Sequence, residues 1–144
     1  MRSFANICYC RESGQCLDIH LPECDHFPVF LYFHGGSLTT GDKTMCKPFE
    51  EYLTNRDIAI VSADYRMYPN AKYPDFLQDS AAAAAWMFQN IKQYGSPDGI
   101  YIGGSYISLM LCFDERMLVK PGRSQLMYPD LFMMPGSLPV IIMF

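Results

Sequence analysis

The sequence predicts an α/β fold, a mostly parallel sheet with flanking helices. Three short apolar runs, at residues 29–33, 58–61 and 100–102, contain no polar side chain that would interrupt a buried strand. Such runs are typical of strands covered on both faces. Two segments with helical spacing of apolar residues, 43–56 and 74–94, separate them. Because strands that alternate with helices usually pair in parallel, we expect the helices to pack on the sheet.

The N-terminal part of the chain is expected to form an antiparallel hairpin ahead of the alternating region. Residues 5–10 and 16–21 have the composition of two strands. Residues 12–15, Glu-Ser-Gly-Gln, form a turn-like sequence between them. A loop over residues 22–28 then leads to the first apolar run.

Both predicted helices have one apolar stripe, which we expect to face the sheet. The stripes comprise Met45, Phe49 and Leu53 in the first helix, and Leu77, Ala81, Ala84, Phe88 and Ile91 in the second. Pro74 suits the first helical position of the second helix, and Asp75 suits the positive end of its dipole. Gly95 is a plausible stop for that helix.

The end of the chain does not continue the alternation of strands and helices. Residues 122–144 show no clear periodicity. We therefore expect residues 1–144 to form a single incomplete domain whose C-terminal half is missing, through truncation or a shifted reading frame. The exposed sheet edge and apolar helix faces of such a domain favour self-association.

Composition and charge exclude several classes of partner. The net charge is −4 and the pI is about 5.2, without a basic cluster, so we expect neither nucleic acid nor an anionic membrane as a partner. The N-terminus shows no secretory signal. The apolar stretch 131–144 is interrupted by Pro135 and Pro139 and is shorter than a membrane helix. These features predict a cytoplasmic protein.

The cysteines allow two interpretations. Four of the six cysteines fall close together near two histidines: Cys8, Cys10, Cys16 and Cys24, with His20 and His26. A zinc site is possible, but no Cys-x-x-Cys pair is present. The alternative is a set of small, half-buried thiols in a reducing compartment, and we favour it. We therefore predict no metal.

A glycine pair follows the first apolar run directly. Gly35 and Gly36 are expected at the carboxyl edge of the sheet, where sites of α/β proteins lie. Two backbone N–H groups there could hold the negative oxygen of a tetrahedral intermediate. The alternative is an ordinary turn, in which glycine pairs are common. For the adjacent His34 we predict a structural role, bracing the loop by hydrogen bonds.

A second glycine pair precedes a serine. Residues 99–110 contain a short strand, the pair Gly103-Gly104, Ser105 and an expected helix. This order approximates the nucleophile elbow, Gly-x-Ser-x-Gly, in which Ile107 occupies the position of the last glycine. We predict Ser105 as the nucleophile and the Tyr106 N–H as a third oxyanion donor.

Two charged residues flank a turn rich in tyrosine and proline. Arg66 precedes most of this turn, and Asp79 lies in the helix that follows it. A guanidinium and a carboxylate could clamp the turn to the start of the helix. We predict structural support from this pair, not chemistry.

Over about residues 4–120, the chain resembles the α/β-hydrolase fold, and more narrowly the esterase/lipase group near hormone-sensitive lipase and bacterial acetyl esterases. The segments that carry the resemblance are His34-Gly35-Gly36-Ser37, Gly41-Asp42-Lys43, Asp64-Tyr65-Arg66-Met67-Tyr68-Pro69 and Ile102-Gly103-Gly104-Ser105. The resemblance implies ester hydrolysis by a Ser-His-Asp triad on a small acyl ester, such as an acetylated sugar. It also implies that no metal or organic cofactor takes part.

The chain departs from the family pattern in the triad. In this fold the acid and the histidine follow the serine, but no histidine follows His34 in this sequence. A serine without a base is a weak nucleophile. Two alternatives to an active esterase therefore stay open: a catalytically inactive fragment of such an enzyme, and a related arylformamidase-type amidase.

Overall fold

The computed structural model describes residues 1–104 and 140–142. Its strands are β1 (Arg2–Cys10), β2 (Gln15–Leu21), β3 (His26–Phe33), β4 (Ala59–Ala63), β5 (Ser96–Gly104) and β6 (Val140–Ile142). Its α-helices are α1 (Lys47–Thr54) and α2 (Asp75–Asn90), and two short 3₁₀ turns cover Lys43–Cys46 and Ile91–Gln93.

The strands form one six-stranded sheet in the order β1-β2-β4-β3-β5-β6. β1 and β2 form the antiparallel hairpin, and β2 pairs antiparallel with β4. The remaining pairs, β4 with β3, β3 with β5 and β5 with β6, are parallel. The predicted fold class, a mostly parallel sheet preceded by an N-terminal hairpin, is confirmed.

The central strand β3 is buried more completely on one face than on the other. Its fully buried side chains are Phe27, Val29, Leu31 and Phe33. Phe30 and Tyr32, on the other face, are only half-buried. The prediction that this run is covered on both faces is therefore right for one face and only partly right for the other, where α1 leaves Phe30 and Tyr32 half-buried. β4 is buried along its whole length, as predicted.

The first predicted helix divides into a 3₁₀ turn and α1. The Asp42 carboxylate accepts the Thr44 N–H at 2.7 Å and begins the turn, and a proline in the first positions of α1 starts the new helix. The expected stripe faces the sheet only in part: the Phe49 ring lies 5.8 Å from that of Tyr32 in β3, but Met45 and Phe49 are each 45% exposed. The buried residues of this segment are Cys46 and Thr54.

The second predicted helix is α2, which begins at Asp75, one residue after the expected start. The Pro74 carbonyl accepts the Leu77 and Gln78 N–H groups, so Pro74 lies at the N-cap position. Most of the expected stripe is buried, and Met87 joins it, whereas Phe88 is 38% exposed.

The end of the chain contributes a strand that the sequence pattern did not indicate. β6 pairs in parallel with β5, with Val140 opposite Ile100 and Ile142 opposite Ile102. Within the described residues, β1 and β6 are therefore the edges of the sheet. No helix in the described part of the chain is long and apolar enough to cross a membrane.

Candidate active site

The carboxyl ends of β3 and β5 lie side by side and are in close contact. Phe33 is the register partner of Gly104. Gly104 has φ +127°, and a Cβ added there would lie 2.1 Å from the Phe33 carbonyl oxygen. Only glycine fits this position without a shift of the backbone. The close contact places the start of the loop after β3 next to the end of β5.

The loop after β3 turns sharply at Gly36. This residue has φ +117°, and a Cβ there would meet the Thr40 carbonyl oxygen at 1.9 Å. The Gly36 carbonyl accepts the Thr39 and Thr40 N–H groups at 3.0 and 3.1 Å. Among the described residues, the N–H groups of Gly35 and Gly36 have no hydrogen-bond acceptor. The turn therefore uses the glycine carbonyls and leaves two adjacent donors for another group.

His34 connects this loop to the segment after β4. The residue is fully buried, and its Nδ1 donates to the Gly35 carbonyl oxygen at 2.7 Å. Its ring stacks on Tyr65 with centroids 4.4 Å apart, and the Tyr65 hydroxyl donates to the His34 carbonyl oxygen at 2.7 Å. A Cβ at Gly41 would lie 2.7 Å from His34 Nδ1, so the returning loop is also in close contact. These contacts suit the bracing role predicted for His34.

The far end of the loop is held by Lys43, a residue to which sequence reasoning gave no role. Its backbone N–H donates to Asp64 Oδ1 at 2.7 Å. Its side chain is 11% exposed, and its ammonium lies 3.5 Å from Asp18 Oδ1 and 3.6 Å from Asp64 Oδ2. The Ser62 hydroxyl donates to the Lys43 carbonyl at 2.7 Å. No local pattern signals this cluster, because its members lie far apart in the chain.

Arg66 and Asp79 form a bidentate ion pair. Arg66 Nε donates to Asp79 Oδ2 at 2.8 Å, and a guanidinium Nη donates to Oδ1 at 3.0 Å. The Arg66 backbone N–H also donates to Oδ2, at 2.9 Å. The hydrogen bond to Asp79 raises the pKa of Arg66 above its usual value. The Tyr68 N–H donates to the Leu38 carbonyl, so the turn fixed by this pair also contacts the glycine loop.

Ser105 and Tyr106, the predicted nucleophile and third donor, lie outside the described residues. Of the three histidines, His26 starts β3, roughly 23 Å from its carboxyl end at about 3.3 Å per residue. His20 lies in β2 and contacts Glu50 of α1. His34 alone lies in the loop, with its Nδ1 donating to a backbone carbonyl.

Among the described residues, an apolar cavity of about 470 Å³ lies between β3, β5 and α1. It is lined by Pro28, Phe30, Tyr32, Phe49, Tyr52, Leu53, Ile58, Tyr101 and Gly104. None of the loop glycines lines it. Of the residues described for the candidate site, only Gly104 lines the cavity. The rest of the cavity lies over the face of the sheet that α1 covers incompletely.

Residues 17–108, more than half of the chain, match the BD-FAE family. Esterase LipI of Mycobacterium tuberculosis is 35% identical over 79 residues, which cover 54% of this chain and 25% of LipI. Carboxylesterase NlhH of the same organism is 33% identical over 82 residues, covering 56% of this chain and 26% of NlhH. The chain thus spans about a quarter of the length of these two relatives.

Solved structures give the same fold. Esterase B of Lactobacillus rhamnosis superposes with a TM-score of 0.70 at 19% identity, over 77% of this chain and 39% of that protein. The thermophilic esterase Est2 of Thermogutta terrifontis gives 0.67 at 23% identity, over 84% of this chain and 47% of Est2. The strand order and the family match agree, and the chain therefore has the α/β-hydrolase fold and belongs to the BD-FAE family.

Proposed function

We propose that the chain carries the nucleophile and the oxyanion hole of a carboxylic-ester hydrolase that acts on small acyl esters, such as acetyl groups on sugars. One observation carries the proposal: the N–H groups of Gly35 and Gly36 lack an acceptor among the described residues, beside the end of β5. Gly104 ends that strand, and Ser105 follows it after one peptide bond.

In the proposed reaction, the Ser105 hydroxyl oxygen attacks the ester carbonyl carbon. The carbonyl oxygen becomes negative and accepts hydrogen bonds from the Gly35, Gly36 and Tyr106 N–H groups. Losing one such donor typically costs about 2.7–4 kcal/mol of transition-state stabilisation. The tetrahedral intermediate then collapses: the carbon–oxygen bond to the leaving group breaks, and the released alkoxide takes up, through solvent, the proton that the serine lost, giving the alcohol. Water hydrolyses the remaining acyl-serine to the carboxylic acid and free Ser105. No metal or organic cofactor takes part.

A positioned base normally accepts the serine proton, and this sequence limits which residue could act as that base. The α/β-hydrolase order places the histidine after the serine. This sequence has no histidine after His34. We therefore propose that the chain by itself hydrolyses esters at most weakly, and that full activity belongs to a protein with the length of the relatives.

The names of the relatives support the reaction class. LipI is named an esterase and NlhH a carboxylesterase. The alternative, a catalytically inactive fragment, is favoured by the missing histidine and by Ile107 in place of the last elbow glycine. An arylformamidase-type amidase would use the same donors on an amide carbonyl.

The test is labelling by a fluorophosphonate together with hydrolysis of p-nitrophenyl acetate, for the unaltered chain and for Ser105→Ala. We expect labelling that the substitution abolishes, with slow turnover. Ser108→Ala, three residues further along, is the matched control and should label normally. Equal labelling of the unaltered chain and Ser105→Ala would overturn the proposed nucleophile.

Turnover then separates the alternatives. Labelling at Ser105 without turnover above the Ser105→Ala background would identify the inactive fragment. Faster hydrolysis of an N-formyl anilide than of the aryl ester would identify an amidase.

A further inference from the structure

Three side chains from separate elements meet beside the hairpin. His20 belongs to β2, Cys46 to the 3₁₀ turn and Glu50 to α1. Cys46 Sγ lies 3.1 Å from Glu50 Oε1, and His20 Nε2 lies 3.4 Å from the same oxygen. All three ligand atoms lie within 4.8 Å of one another. An imidazole, a thiol and a carboxylate thus converge on one point.

Two of the three side chains are buried, and His20 Nε2 makes no hydrogen bond to any described residue. His20 is 9% exposed and Cys46 is 1% exposed. The atom nearest to Nε2 in the cluster is Glu50 Oε1, at the 3.4 Å of an ion pair rather than at hydrogen-bond geometry. Buried polar atoms nearly always have hydrogen-bond partners, so Nε2 calls for an explanation, and a bound ion is one.

The other ring nitrogen of His20 explains why Nε2 is available. Ser3 Oγ lies 3.0 Å from His20 Nδ1. When Nδ1–H donates to Ser3, Nε2 keeps its lone pair, which faces Cys46 and Glu50. Histidines that bind metals usually have such a hydrogen bond on the second nitrogen, because it fixes the tautomer and the ring orientation.

We propose that His20, Cys46 and Glu50 bind a Zn²⁺ ion. Tetrahedral zinc, with bonds of about 2.0–2.1 Å to nitrogen and oxygen and about 2.3 Å to sulfur, separates N from O by about 3.3 Å and S from O by about 3.6 Å. The N–O and S–O separations, 3.4 and 3.1 Å, lie within about 0.5 Å of these values, and the N–S separation is within 4.8 Å. A soft thiolate with imidazole favours zinc over magnesium or calcium.

Charge and coordination number also balance. Binding releases the Cys46 thiol proton to solvent, since the ligand is the thiolate. One thiolate, one carboxylate and a neutral imidazole then match the two charges of the ion. Three protein ligands leave a fourth position for water, and the Glu50 side chain, 18% exposed, brings the cluster to solvent. The ion would join β2 to α1, two elements that otherwise have few contacts.

Cobalt substitution tests the proposal. Co²⁺ added to metal-free chain should give a near-ultraviolet sulfur-to-cobalt charge-transfer band with one ion per chain, and Zn²⁺ should remove it. Cys46→Ser should abolish the band, and His20→Gln should weaken Zn²⁺ binding at least tenfold. The controls Cys24→Ser and His26→Gln lie outside the cluster and should bind as the unaltered chain does.

A second readout covers variants that fold poorly. Zn²⁺ should raise the melting temperature of the unaltered chain by several degrees, because it binds only the folded state. Glu50→Gln keeps the shape of a partly exposed side chain and should lose most of that rise. A band that persists in Cys46→Ser, or equal zinc stabilisation of Glu50→Gln and the unaltered chain, would overturn the proposal.

Discussion

The glycine loop after β3 and the face of the sheet under α1 are held in different ways. The loop, residues 34–43, is fixed by directed contacts: the Tyr65 hydroxyl at its start and the Asp64 carboxylate at its end. The α1 face relies on apolar contact, and Phe49 and Tyr52 remain 45% and 57% exposed. The region that would position the proposed donors is therefore held by hydrogen bonds at both ends, whereas the α1 face is incompletely covered.

Among the substitutions near the glycine loop and α1, the largest effect should come from Gly104→Ala. The added Cβ would meet the Phe33 carbonyl at 2.1 Å while the residue keeps φ +127°, so β5 must move. We expect a loss of about 2 kcal/mol or more in the free energy of unfolding, measured in urea.

Gly14→Ala is the matched control for this substitution. Gly14 also has a positive φ, +68°, but its Cβ would meet nothing within 4 Å. This control should lower the free energy of unfolding by about 1 kcal/mol, because an alanine at positive φ is strained but makes no steric clash. Equal losses in the two variants would show that the contact between β3 and β5 does not constrain the site.

The next effect should come from Asp79→Asn, which breaks the ion pair with Arg66. The Asp79 side chain is 3% exposed, whereas that of Arg66 is 35% exposed. Once the pair is broken, water can therefore hydrate the Arg66 guanidinium. We therefore expect a loss of about 2 kcal/mol, below the usual range for a fully buried pair. Asp98→Asn, with a side chain 59% exposed, should change stability by less than about 0.5 kcal/mol.

A smaller effect is expected for Tyr65→Phe, which removes the hydroxyl that donates to the His34 carbonyl. The loss should be about 1 kcal/mol in unfolding, and fluorophosphonate labelling should slow because the loop is less well fixed. Tyr52→Phe on the exposed α1 face should leave both measurements unchanged. Slower labelling in both variants would remove the distinction between the two regions.

The smallest effect should be that of Phe49→Ala on the α1 face. Because Phe49 is 45% exposed, we expect a loss of about 1 kcal/mol or less. Phe27→Ala, at a fully buried position of β3, gives the scale and should cost about 3–5 kcal/mol. A loss of similar size at both positions would mean that the α1 face is as well packed as the core.

Strands β1 to β5 and the position of the glycine loop could be predicted because their signals are local, whereas β6 was missed. An apolar run followed by His34-Gly35-Gly36 needs no distant information. The ion-pair cluster around Lys43 could not be predicted from the sequence, because Asp18 and Asp64 come from two other segments of the chain.

The histidine–cysteine cluster shows the same limit. Proximity in sequence offered Cys8, Cys10, Cys16 and Cys24 as neighbours of His20, a zinc site that we did not favour, whereas the fold brings Cys46 to His20. The α1 stripe is only partly covered, because helical spacing identifies an apolar face without showing how completely the sheet covers it.

The strand order has a consequence for synthesis on the ribosome. The β1–β2 hairpin is complete at Leu21, but its neighbour in the sheet is β4, which ends at Ala63. An isolated hairpin is marginally stable in water, and non-local pairing slows folding. The hairpin therefore leaves the ribosome well before the strand that holds it. In the nascent chain, β3, whose partners are β4 and β5, also waits for strands made later.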